Sequence, residues 1–130
     1  MTRDYWQIWV LFLGILFALL PYGEATHPER WYAERAAAEY DGILEFHLPD
    51  GTRCDIVTER HAIEVEFAPK WKEAIGQSLH YAALSDRIAG ILLILVEPSE
   101  ERYLESLREV IAHYDLPIDV RVIRTWADSG

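Results

Sequence analysis

"HAIEVEFAPKWKEAIGQ", residues 61–77, is the stretch on which the fold turns. Its first half alternates. Ile63, Val65 and Phe67 fall on one side of an extended strand, and Ala62, Glu64 and Glu66 on the other, because strand side chains alternate with period two. Pro69 closes the strand. From Lys70 the apolar spacing becomes helical, with Trp71, Ile75, Ser78, Leu79 and Ala82 on one stripe and an end near Ser85 and Asp86. Outward glutamates are ordinary on a half-solvated strand, so Glu64 and Glu66 gain meaning only from what lies beside them.

Upstream, "ILEFHL" alternates Leu44, Phe46 and Leu48 against Glu45 and His47, and the Pro49-Asp50-Gly51 turn returns the chain into "TRCDIVT". Glu59-Arg60 then reads as a two-residue loop, so that Thr58 pairs with His61, Ile56 opposes Ile63 and Asp55 opposes Glu64. "THPERWYAERAAAEY" before these strands reads as a helix capped by Thr26 or His27, with Pro28 in its first turn and Asp41-Gly42 as its stop. Downstream, the wholly apolar "AGILLILV" at 89–96 has the character of a central strand covered on both faces. Pro98 opens a helix with Leu104, Leu107, Ile111 and Tyr114 as its inward stripe, and "IDVRVIR" is a last alternating strand. The expected order is αβββαβαβ, an α/β domain with a mixed central sheet flanked by helices.

In that register Asp55 and Glu64 face each other, and directly opposed like charges on a sheet cost about 0.2–1 kcal/mol, more when a helix covers them. Together with Glu66 they make a three-carboxylate patch of the oxygen-rich kind that suits Mg²⁺ or Mn²⁺ rather than zinc. Lys70, Gln77 and Tyr81 share one stripe of the following helix, while Lys72 points elsewhere. An ammonium beside a cation site can stabilise developing charge on a phosphate, and a Gln amide can hold the phosphate or a water. His47, His61 and His80 lack partners at nucleophile or zinc spacing and read as surface or core residues. Glu97, Glu100, Glu101, Glu105 and Glu109, with Arg102 and Arg108, read as a solvated helix face.

The 130 residues hold 12 Lys and Arg against 22 Asp and Glu, a formal charge of −10, which argues against broad non-specific nucleic-acid binding unless a local basic patch or a cation intervenes. Cys54 is the one cysteine, so the domain stands on its packed core without an internal disulfide. Residues 1–25 carry an apolar block from Ile8 to Leu20, short for a bilayer span and apt for a secretory signal, with small residues Gly23 and Ala25 before a cleavage point. The expectation is an exported domain, 26–130, periplasmic or extracellular. An uncleaved inner-membrane anchor through residues 8–20 is the alternative.

Asp55, then Glu64-Val65-Glu66, then Lys70-Trp71 and "EAIGQSLHY" at 73–81, in αβββαβ order, resemble the PD-(D/E)xK nuclease superfamily of restriction-endonuclease-like fold, over about residues 28–96. The resemblance implies that Asp55 and Glu64 bind a divalent metal, with Glu66 and, from the first helix, Glu29 in preference to Glu34 as further ligands. It implies a catalytic lysine too. Glu66 stands in that lysine's usual position and Cys54 in that of the proline, so Lys70 on the following helix is the candidate, ahead of Lys72. Gln77 and Tyr81 resemble the Gln and Tyr pair of some members. The expected function is an Mg²⁺- or Mn²⁺-dependent nuclease acting on nucleic acid, DNA first. The alternative is an inactive nuclease-like module that binds nucleic acid or a protein partner.

Overall fold

The computed structural model describes residues 27–127, and the segment read as a signal or anchor lies outside them. Helix α1 (Glu29–Tyr40) is followed by strands β1 (Ile43–His47), β2 (Arg53–Val57) and β3 (His61–Phe67). Then come helix α2 (Trp71–Ser85), strand β4 (Ile88–Leu95), helix α3 (Glu101–Tyr114) and strand β5 (Ile118–Arg124). This is the order expected from the sequence. Short 3₁₀ turns, Ala68–Lys70 and Pro98–Glu100, lead into α2 and α3, each with a proline where a missing N–H costs nothing.

The five strands form one sheet in the order β1-β2-β3-β4-β5. The first three run antiparallel, as two hairpins, and β4 and β5 add parallel to β3 through the α2 and α3 crossovers. Thr58 N–H donates to the His61 carbonyl at 2.9 Å, which closes the two-residue Glu59-Arg60 loop where it was expected. Helix α1 covers one face, its Tyr32, Ala33, Ala36 and Ala37 packing on Ile56, Ile63, Val65, Leu92 and Ile94. Helices α2 and α3 cover the other, where Ala74, Ala82, Leu104 and Leu107 meet Ala62, Ile91, Leu93 and Leu95. Strand β4 is interior, between β3 and β5, and buried from Ala89 to Leu95, and each of its large side chains removed from water contributes about 1.5–3 kcal/mol.

Three local readings change. Tyr114 is 69% exposed: it ends α3 just before the left-handed Asp115 and packs edge-on to His113 rather than on the sheet. Glu100 and Glu101 are not merely solvated, because Glu100 accepts from the Val96 N–H at 2.6 Å and Glu101 takes both ends of the Arg124 guanidinium. The third concerns Asp55. The backbone register is as expected at Ile56↔Ile63 and Val57↔Ala62, but the β2–β3 ladder stops there instead of continuing to an Asp55↔Glu64 pair.

The cause lies in β2 itself. Cys54 and Ile56, two residues apart, pack into opposite layers, so the strand is kinked at Asp55. Strand β1 is kinked to match: Leu44 pairs with Ile56 and Phe46 with Cys54, again in opposite layers, and Glu45 between them takes φ 49°. A non-glycine residue in that region is strained, and here the strain falls beside Asp55. Beyond Ile63, strand β3 is bound to β4 on one side only.

Among the described residues no helix is long and apolar enough to cross a membrane.

Candidate metal and acid site

The divergence of β2 from β3 exposes the backbone of β3 next to Asp55. Its carboxylate fills part of the gap, with Oδ2 accepting from the Val65 N–H at 2.8 Å in place of a main-chain partner. Cys54 is walled in behind it, where burial pushes the thiol up to about 11 and its Sγ–H faces the carbonyls of Ile56 and Ile63. It remains a free, buried cysteine.

Glu64 and Glu66 point from β3 toward the α2 side and are only 5% and 7% exposed. Buried carboxylates without a cationic partner hold their protons. Burial is the main cause that raises Glu64 to about 9, joined by the charge of Asp55, a hydrogen bond to Asp55, and the charges of Glu66 and Glu29. Asp55 is raised by burial and pulled back by the Val65 N–H and by the proton it accepts from Glu64. Glu29 reaches the same place from the first turn of α1. Burial and the charges of Glu66 and Asp55 raise it to about 7, and it donates its proton to Glu66. Glu66 is raised by burial, while its Oε1 accepts from the Phe67 N–H at 3.0 Å and Lys70 offsets part of its charge.

Burial and mutual charge therefore raise all four acids, with Asp55 the near neighbour of Glu64 and Glu66 that of Glu29. In these rotamers no three of the described His, Cys, Asp or Glu side chains converge as a ligand set for one ion. Two of the four carboxylates are turned onto main-chain N–H groups, and acid–acid hydrogen bonding is how close carboxyls relieve repulsion when no cation does it. The donor set is nonetheless all oxygen, the chemistry of Mg²⁺ or Mn²⁺. A further oxygen points to the same conclusion. The Oε1 atom of Gln77 is buried without a hydrogen-bond partner, an arrangement that costs about 1–3 kcal/mol if nothing satisfies it.

Helix α2 delivers the remaining groups. Lys70, exposed at its start, is near both Glu66 and Glu29. Tyr81, one turn after Gln77, is buried beside Glu64 and Asp55, its phenol raised by burial and then by those charges. Lys72 lies 5.6 Å over the Trp71 ring and outside the cluster. Glu34 is also outside, paired with Arg30 at 2.9 Å on the exposed side of α1. The histidines go to other surfaces, His61 to Asp119 at 2.7 Å and His80 to Asp50 at 3.2 Å.

So Asp55, Glu64, Glu66, Glu29, Lys70, Gln77 and Tyr81 are brought together, from α1, β2, β3 and α2. Sequence reasoning missed the Val65 N–H and the kink opposite Glu45. Alternation in "ILEFHL" carries no sign of a positive φ. Comparison of the chain with family models, with curated proteins and with solved structures gives no match.

Proposed function

We propose that this protein is a metal-dependent nuclease with a restriction-endonuclease-like αβββαβαβ core, exported or membrane-tethered, hydrolysing phosphodiester bonds of nucleic acid, DNA first. The observation that carries the reading is the gathering of four carboxyls at the point where β2 leaves β3, beside an amine and an unpartnered buried amide oxygen. The resemblance of Asp55, Glu64 and Lys70 to PD-(D/E)xK nucleases supports it. Asp55 and Glu64, with Glu66 and Glu29, would hold Mg²⁺ or Mn²⁺. Such a cation supplies Lewis-acid polarisation of the phosphate and activation of a water.

The chain's own groups divide the remaining work. Glu64 and Glu29 are the carboxyls raised furthest, to about 9 and about 7. Holding a divalent ion is therefore tied to deprotonation of Glu64 and Glu29. Lys70 is exposed, and its ammonium favours the negative charge that develops on the phosphoryl oxygens of a phosphate it meets. Gln77 brings a buried amide oxygen without a partner, one turn from Tyr81 on α2. Helix α2 and the β3–β4 sheet exclude water from the inner side of Glu64.

A second reading has its own observation. Glu66 occupies the place where the resembled nucleases carry lysine, and its charge is offset only in part, by Lys70 and by the carboxyl of Glu29. A non-cleaving module that binds nucleic acid or a protein partner would look the same. Cleavage of plasmid and of single-stranded DNA by the full chain, in Mg²⁺, in Mn²⁺ and in EDTA, decides between them. Asp55→Asn, Glu64→Gln and Lys70→Ala are the comparison variants. Metal-dependent cleavage lowered by about 10²-fold or more in each variant supports the nuclease. An inert wild type whose folding is still stabilised by the cation supports the module.

A further inference from the structure

We propose that the groove between α1 and β5 is a track for single-stranded nucleic acid, gripped through its phosphates by Arg35 and Arg121. The proposal rests on the nuclease reading and deepens it, since it says where the polymer lies. The groove encloses about 660 Å³, within the roughly 300–1,000 Å³ range of pockets that take a compact organic ligand.

Charge is the first argument. Acids outnumber bases 22 to 12 in the chain, yet Arg35, Arg121 and Arg124 line this groove with Glu39 as its one acidic residue. Arg124 is already neutralised by Glu101. Arg35 and Arg121 are exposed, and among the described residues neither is in a salt bridge. In so acidic a protein, two arginines outside any salt bridge against one glutamate in the same groove are a local reversal of sign.

Their geometry is the second. The Arg35 guanidinium lies 3.3 Å from the centroid of Trp31, one turn earlier on α1, and that of Arg121 lies 4.6 Å from the centroid of Tyr40. A guanidinium laid on an aromatic ring is held flat and gives up little entropy on binding, while its N–H edge stays free to take a phosphate. Arg35 uses one N–H on the Trp31 carbonyl, at 3.5 Å. Trp31 is itself closed on both faces, by His27 stacked at 3.8 Å and by Arg35, so an unpaired base would stack on the outer faces of the guanidinium planes. A duplex hides its base faces in its own stack and would meet only the rim of such a groove.

Continuity with the acid site is the third. Trp31 meets Tyr32 edge-on at 4.9 Å, and Tyr32 meets Phe67 at 6.1 Å, next to Glu66 on β3. Glu29 belongs to the acid cluster and lies two residues before Trp31 on the same helix. The track and the cluster thus meet at the first turn of α1.

The test is binding of fluorescein-labelled (dT)12, of a 12-base-pair duplex and of phosphatidylglycerol vesicles to the full chain in EDTA, where no cleavage occurs. Wild type should prefer (dT)12. Arg35→Ala with Arg121→Ala should raise its Kd at least 10-fold and reduce the slope of log K against log salt by about 1.4, at about 0.7 per phosphate released. Arg35→Lys with Arg121→Lys should restore most of that slope at unchanged Tm, and Asp55→Asn with Glu64→Gln should bind at least as well as wild type. Equal affinity of wild type and the double alanine variant overturns the track, as does preference for the duplex or the vesicles. Arginine-dependent binding with no cleavage in any metal keeps the track and removes the nuclease reading. Metal-dependent cleavage of (dT)12 with an unchanged KM in the double alanine variant does the reverse.

Discussion

Asp55 accepts the Val65 N–H at 2.8 Å, and that bond ties β2 to β3 after their ladder has ended. A carboxylate needed only for solubility would point to water. This one closes a gap in a sheet and, through the same gap, faces Glu64 and Glu29.

Removing the acceptor should therefore hurt more than removing the charge. Asp55→Asn removes the charge and keeps an oxygen for the Val65 N–H. Asp55→Ala removes the charge too but leaves a buried N–H unpaired, at about 1–3 kcal/mol. Urea unfolding at pH 7 in EDTA should place Asp55→Ala below Asp55→Asn by about 1–2 kcal/mol. Equal stabilities would mean that water satisfies Val65.

Glu64 makes stability fall with pH. Its carboxyl titrates near 4.5 ordinarily and about 9 in the fold, so the folded chain binds the proton more tightly. The stability gained this way is complete below 4.5 and is lost as pH climbs toward 9, with Glu29 adding to the fall up to about 7. In EDTA the Tm should drop steadily between pH 5 and pH 9. Glu64→Gln should flatten that drop and, at pH 8, raise the Tm by about 5 °C, where 1 kcal/mol corresponds to about 4–8 °C for a domain of this size. A Tm that rises over this range in EDTA would contradict the protonated state of Glu64.

Cation binding should release those protons. Titration of Mg²⁺ or Mn²⁺ by calorimetry at pH 7, in buffers of different ionisation enthalpy, should report about one to two protons displaced per ion. The same ion at 100 times its Kd should add about 2.7 kcal/mol to folding stability, and EDTA should remove it. Asp55→Asn combined with Glu64→Gln should abolish both effects. A heat signal with no proton displacement would place the ion elsewhere on this acidic surface.

Much of this was legible in residues 61–77, and the reasons are physical. A two-residue loop fixes register, so Thr58 with His61 and Ile56 with Ile63 followed from spacing alone. The shift from period two at Phe67 to helical spacing after Lys70 fixed where α2 would start. The ladder beyond Ile56 was not legible. Its break depends on a side chain outcompeting a main-chain acceptor and on Glu45 accepting φ 49°, and neither leaves a mark on hydrophobic alternation. Tyr114 failed for a different reason: helical periodicity says which side a residue faces, but not whether the sheet extends beneath the last turn.

The Gln77 amide separates function from stability. Its Oε1 is buried and unpartnered, so Gln77→Met, of similar length and without the carbonyl, should leave the cation-free protein as stable as wild type or up to about 1 kcal/mol more so. The same substitution should weaken metal-dependent cleavage by about 10-fold or more if that oxygen serves the reaction. Stability is read by urea unfolding in EDTA and activity by initial rates. Lower stability with full activity would make Gln77 a structural residue held by an ordered water.

Gly76, beside it, offers the complementary test. It lies exposed in the middle of α2, and a Cβ there meets nothing within 4 Å. A glycine inside a helix costs about 0.5–1 kcal/mol relative to alanine, so Gly76→Ala should stabilise the protein by that amount, because the folded helix gains no clash and the unfolded chain loses freedom. A residue without a side chain one position before Gln77 lets a polymer backbone approach this helix face closely. Gly76→Ala should therefore raise the Tm by about 3–5 °C while raising the KM for a DNA substrate and leaving kcat near wild type. A gain in Tm with unchanged KM would free this helix face from any role in holding the substrate.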